Sequence, residues 1–243
     1  MNVGDAKKLI PRALRKCARE YLHQRAVRRA LKPLRANGKL TIAEIAAFHT
    51  AWGNVGFAAD RDYLSHLLRL LSTANAPVLE CGSGGTTLLA NEIGLRRGFK
   101  IYSLEQDPEW AQPVQRALTG RSAVTIFDSP LRTFGGYHWY DVRQTLPLPA
   151  HFALVICDGP YISESLGEPS YSAWRYGVLP WFKQTDRTFD ALLLDDVNDK
   201  RAPAILDRWK REFGIRVERF ASDDGECAII APTSEAISLF RRG

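Results

Sequence analysis

The chain of 243 residues lacks any apolar run approaching the roughly 18 residues of a membrane span, which argues against a spanning helix. Its first residues lack the apolar stretch of a secretory signal, so a cytoplasmic location is the expectation. The four cysteines, Cys17, Cys81, Cys157 and Cys227, are scattered with no Cys-x-x-Cys pair, which removes zinc ribbons and disulfide frameworks from consideration. Cys81, Cys157 and Cys227 lie in apolar strand-like surroundings and read as small buried thiols. There is no internal repeat and no low-complexity tract. The 45% hydrophobic and 25% charged content is that of an ordinary globular protein with one large core.

Excess positive charge is also missing from most of the chain. Residues 1–39 hold twelve Lys or Arg against Asp5 and Glu20, a local +10; the whole chain is +6, so the remainder carries −4. The basic balance therefore says nothing about the catalytic face. Within this segment Ile10, Leu14, Cys17, Tyr21 and Leu22, and then Val27, Leu31 and Leu34, recur at helical spacing with basic residues between them. Three destinations are open for these helices: docking on the rest of the chain or a second subunit, lying on an anionic membrane surface, or gripping nucleic acid. Pro33 and Asn37-Gly38 mark a break, and Thr41 with Glu44 predicts a capping box opening a helix over Ile42–His49. A basic helical segment over residues 1–50 and a catalytic domain over 51–243 are the expected organisation.

From there strands alternate with helices. Strands are predicted at 77–81, 100–105, 123–127, 152–157 and 191–194, and helices near 61–72, 86–93, 108–118, 174–183 and 202–213. This order implies a parallel sheet covered on both faces. Ile215–Phe220 and Glu226–Ala231, joined by a turn-rich segment, predict an antiparallel hairpin at the sheet edge. The expected fold class is thus α/β: a Rossmann-like, seven-stranded, mostly parallel sheet with a terminal antiparallel hairpin, preceded by a helical segment.

The first strand runs into Glu80-Cys81-Gly82-Ser83-Gly84-Gly85-Thr86-Thr87. Gly82 and Gly84 let the backbone turn tightly and bring its N–H groups close to a ligand. Glu105 ends the second strand, 21 residues after Gly84, about the spacing at which a carboxylate meets a ribose diol. A dinucleotide fingerprint would have Gly or Ala at position 87, where this chain has Thr87. These residues resemble the class I S-adenosylmethionine-dependent methyltransferases, whose first motif is an acid followed by Gly-x-Gly and whose second is an acid ending the second strand. The resemblance spans roughly Trp52 to Ala231. It implies S-adenosyl-L-methionine as cofactor, with Glu80, Gly82, Ser83, Gly84 and Thr86 at the methionine end, Glu105 and Gln106 at the ribose, and Asp128 with Ser129 beside the adenine. Trp52, Asn54 and Gly56 are placed to close over the methionine moiety.

The strand ends beyond the glycine loop are acidic as well: Asp128, Asp158, and Asp195-Asp196. Asp158-Gly159-Pro160, Arg175-Tyr176-Gly177-Val178-Leu179-Pro180 and Leu194-Asp195-Asp196 look like segments of bacterial O-methyltransferases, and the acids also look like the metal ligands of the catechol type. That likeness implies Mg2+ held by Asp158, Asp195 and Asp196, although Asp195-Asp196 replaces the usual Asp-Asn and Tyr161 stands where that family has Lys. Without metal, Asp158 or Asp196 is the candidate general base and Arg175 the acceptor anchor. Asp158-Gly159-Pro160-Tyr161 is also similar to the Asp-Pro-Pro-Tyr loop of amino methyltransferases, with one proline absent. The aromatic run Thr133–Tyr140 contains two glycines and suits a flap over the acceptor, with His138 a candidate proton acceptor. Trp110, Trp174, Trp181 and Trp209 fall on helical patterns and read as packing residues. The expected function is methyl transfer to a hydroxyl of a small or glycan-like acceptor. Nucleic-acid N-methylation and a non-catalytic binding or scaffold role with the same fold are the alternatives.

Overall fold

A computed structural model describes residues 11–53, 58–118, 120–142, 148–161, 175–221 and 225–232. Among the described residues three helices come first: α1 (Arg12–Ala30), α2 (Lys32–Asn37) and α3 (Ile42–Trp52). Pro33 lies in the first turn of α2, where its missing N–H costs nothing, so the chain breaks at Leu31, and Gly38 closes α2 in the left-handed conformation. The capping box is present: Thr41 Oγ1 accepts from the Glu44 N–H (3.3 Å), and Glu44 accepts from the Thr41 N–H (2.8 Å). α4 (Arg61–Thr73) is capped by Asp60, which accepts from the Tyr63 N–H at 2.6 Å.

The alternating elements are β1 (Val78–Cys81), α5 (Gly85–Arg97), β2 (Ile101–Glu105), α6 (Pro108–Ala117) and β3 (Val124–Asp128). After them come a ribbon of β4 (Leu131–Phe134) and β5 (Tyr137–Tyr140), then β6 (His151–Cys157), α7 (Val178–Gln184), β7 (Thr188–Leu194), α8 (Ala202–Phe213), β8 (Arg216–Ala221) and β9 (Glu226–Ala231). The main sheet has the order β3-β2-β1-β6-β7-β9-β8. Its first five strands are parallel, while β9 enters antiparallel between β7 and β8. The seven-stranded sheet and its antiparallel hairpin agree with the sequence expectation.

Strand alternation divides the core between the two sheet faces. Val78, Ile101, Leu154, Ile156, Leu193 and Ile229 pack on one side beneath α3, α4 and α5. Leu79, Cys81, Leu104, Val155, Leu192 and Ile230 pack on the other, with Trp139, Trp181 and Trp209. Val27, Leu31 and Leu34 of the basic helices are each 1% exposed and join the first of these cores. The N-terminal helices are therefore laid onto the sheet domain, and Arg35 of α2 makes a two-pronged ion pair with Glu92 of α5, both contacts at 2.9 Å. Trp110 departs from the packing role expected of it, as described below, and Trp174 lies outside the described residues. No helix among the described residues is long and apolar enough to cross a membrane.

Candidate functional site

The strand order reverses between β1 and β6, and in open α/β sheets a ligand crevice forms at such a reversal, beyond the carboxyl ends of the strands. Gly82 follows β1 and Asp158 follows β6, so the glycine loop and the fourth acid face each other there. The approach is close. Gly82 has φ +92°, and a Cβ on it would lie 3.0 Å from the Gly159 nitrogen. A side chain is excluded at Gly82 by both conformation and space. Nothing lies within 4 Å of a Cβ built on Gly84, which leaves open space above the loop. On the other side of the loop the indole of Trp52 rests 3.2 Å from the Cβ position of Gly85, so α3 walls this part of the crevice together with Phe48 and His49.

A cavity of about 570 Å³ opens from this point, a size suited to a small-molecule site. Its lining includes Gly82 and Ser83 after β1, Glu105–Asp107 after β2, Asp158–Tyr161 after β6, and Asp195 and Asp196 after β7. Glu105 is held rigidly: one oxygen accepts from the Ser83 N–H (2.8 Å) and hydroxyl (2.7 Å), the other from the Asp107 N–H (2.9 Å). A carboxylate offers about four acceptor positions, so one remains for a ligand hydroxyl. Gln106 donates to the Tyr161 carbonyl at 2.5 Å, while its own side-chain oxygen is buried with no partner among the described residues.

Glu80 is placed differently from the expectation. It is fully buried beneath the loop and does not line the cavity. Its oxygens accept from the hydroxyls of Thr86, Thr87 and Ser103, each at 2.7 Å, and Thr87 in turn accepts from the Gly84 N–H at 2.8 Å. Glu80 thus ties β1, β2 and the first turn of α5 together, a clamp under the loop and not a lining residue of the cavity. Burial pushes its carboxyl up to about 7 despite the three hydroxyls, which favour the charged form. Thr86 lines the Trp52 side of the loop, with its hydroxyl committed to Glu80. Asp128 is exposed and Ser129 buried, and neither lines the cavity. They sit at the sheet edge beside it, the Ser129 N–H donating to the Glu105 carbonyl at 2.7 Å.

Asp158, Asp195 and Asp196 do not form a metal centre. The guanidinium of buried Arg175 lies between two of them, donating to Asp158 (3.2 Å) and Asp196 (2.6 Å) and also to the Asp195 carbonyl. The Asp195 side chain turns back to accept from the Asp196 N–H at 2.9 Å. Among the described residues no three His, Cys, Asp or Glu side chains are grouped to hold an ion. The donor set does not fit Mg2+, because the chain supplies its own cation. Burial disfavours the charged guanidinium, yet Asp158 and Asp196 outweigh it and keep Arg175 protonated. Asp158 is 26% exposed in its side chain, and burial pushes its carboxyl up to about 6 against the opposing pull of Arg175. Burial and the neighbouring acids push Asp195 well above the usual carboxylate range.

His138 lies on β5, bonds Thr133 across the ribbon (3.1 Å) and does not line the cavity. The expected flap is this ribbon, and its far strand is anchored by Trp139 and Tyr140, each 1% exposed. Tyr140 does reach the cavity, and its buried hydroxyl has no partner among the described residues. Sequence reasoning missed Tyr140, and it missed Trp110, which lines the cavity and donates to the Ser83 carbonyl at 2.6 Å. Asp199 and Arg201, paired at 2.7 Å, were missed as well. Asn54, Gly56 and the segment Ile162–Tyr171 lie outside the described residues.

The polar atoms of Gln106 and Tyr140 that lack partners, the open space above Gly84 and the remaining acceptor of Glu105 fit a polar nucleoside-type cofactor. No protein-family model matches the chain, and no curated protein matches it by sequence. Solved structures do. The METTL16 MTase domain is similar at 10% identity and TM-score 0.51, over 79% of this chain and 80% of that one. The O-methyltransferase TomG from Streptomyces achromogenes, solved with SAM, is 14% identical with TM-score 0.48, over 79% and 90%. The N-terminal domain of human METTL16, solved with SAH, is 12% identical with TM-score 0.45, over 78% and 81%. With the strand order, the first of these likenesses shows a Rossmann-like fold that this chain shares with that domain.

Proposed function

We propose that this chain is an S-adenosylmethionine-dependent methyltransferase acting on a hydroxyl of a small or glycan-like acceptor. The observation that carries the reading is Asp158, which borders both the glycine loop and the larger cavity and whose carboxyl is poised near neutrality. S-adenosylmethionine, when bound, supplies a methyl group on a positively charged sulfur. The chain's part is alignment and proton removal. The free acceptor position of Glu105 takes a ribose hydroxyl, Gln106 and Tyr140 supply further polar contacts, and the bare backbone at Gly84 admits the methionine end. Asp158 accepts the proton of the attacking hydroxyl, and Arg175 fixes Asp158 and Asp196 in orientation. The cavity lining among the described residues contains six carboxyl side chains (Glu105, Asp107, Asp158, Asp195, Asp196, Asp199) and two guanidinium groups (Arg175, Arg201). Such a surface repels phosphates, which favours an uncharged hydroxylated acceptor over nucleic acid.

Incubating the protein with donor and a metabolite extract tests this directly: one product gains the mass of a methylene. Asp158→Asn keeps donor affinity and loses transfer, whereas Glu105→Ala loses donor affinity. Equal activity of both variants with wild type would overturn the assignment.

A further inference from the structure

Among the described residues, helix α1 is committed on one side only. Val27 and Leu31 are buried in the core, and Glu20 reaches Arg116 of α6 at 3.5 Å. The other side carries one stripe of Leu14, Ala18, Tyr21, Leu22, Arg25 and Arg29, spaced as a single helical face. Leu14, Tyr21 and Leu22 are 60%, 64% and 61% exposed. Arg19 is exposed at the edge of this face, and the helix's one acid, Glu20, is turned to Arg116. Large apolar side chains in water, framed by cations without an intervening acid, match one environment: an interface apolar in its depth and anionic at its surface.

We propose that this face of α1 rests on an anionic lipid surface. Leu14, Tyr21 and Leu22 enter the boundary between headgroups and acyl chains, and Arg19, Arg25 and Arg29 meet the lipid phosphates. A second copy seated on the same face would set two rows of arginines against each other. A nucleic-acid duplex would satisfy the cations and leave the three apolar side chains without a counterpart.

Sedimentation of the full chain with vesicles tests this. The protein pellets with phosphatidylcholine vesicles containing phosphatidylglycerol, remains in solution with phosphatidylcholine alone, and is released by salt. Leu22→Glu and the double change Arg25→Glu/Arg29→Glu each weaken vesicle binding by at least about tenfold. All three positions are exposed, so the circular dichroism of both variants stays that of wild type; Leu14→Glu gives an independent check. The proposal is overturned by failure to bind the anionic vesicles, by equal binding to both vesicle types, or by variants that bind like wild type. Duplex DNA binding without vesicle binding, or dimerisation lost in Leu22→Glu without vesicle binding, would overturn it too.

Discussion

Glu80→Gln tests whether the acid of the glycine-loop motif is a clamp. In the folded chain its carboxyl is held up at about 7, against an ordinary value of 4.5. A raised carboxyl binds its proton more tightly in the folded state, so its contribution to stability is greatest at low pH and falls as pH rises from the unfolded value through the folded one. With those two values, ionisation of Glu80 removes roughly 2–3 kcal/mol of stability between pH 5 and pH 8. Glutamine cannot ionise, and it retains an acceptor and a donor for the hydroxyls of Thr86, Thr87 and Ser103. Urea unfolding of both proteins at pH 5 and pH 8 isolates the effect, because other titrating groups cancel in the difference. The variant gains roughly 2–3 kcal/mol on wild type between the two pH values, or about 5–10 °C in melting temperature for a chain of this size. A difference that does not change with pH, or changes in the opposite direction, refutes the burial argument.

Gly82→Ala forces a Cβ into a φ of +92° and against the Gly159 backbone; it costs about 1–3 kcal/mol in chemical denaturation and weakens donor binding in calorimetry. Arg175→Gln leaves Asp158 and Asp196 without their cation. It lowers stability by about 3 kcal/mol and moves the acidic limb of kcat/KM, which in wild type falls as Asp158 gains its proton below about pH 6, toward higher pH. Chelation by EDTA leaves turnover unchanged, since the guanidinium of Arg175 stands between the acids; loss of activity restored by Mg2+ would contradict this.

The sheet was legible because parallel strands buried on both faces read as continuous apolar runs closed by an acid. The site was legible where the acid terminates its strand, as Glu105 does, or follows it, as Asp158 does, because such residues emerge at the crevice. Glu80 lies one place inside β1. Alternation there puts Val78 on the face covered by α5 and Leu79 and Cys81 on the other, so Glu80 turns under the helix toward Thr86 and Thr87. The metal reading failed for a longer-range reason. Arg175 is 17 residues from Asp158 and 21 from Asp196 along the chain, and nothing local announces that it will fold between them. Tyr140 was equally hidden, since its place depends on the ribbon folding back over Gly159.

The contact of Trp52 with Gly85 ties the leading helices to the glycine loop. An indole propped behind the glycine loop means that any force acting on α3 is felt a few ångströms from Gly84. Trimming the chain to its sheet would remove more than ballast: it would take away the back wall of the crevice beside Gly84 and leave the loop one-sided.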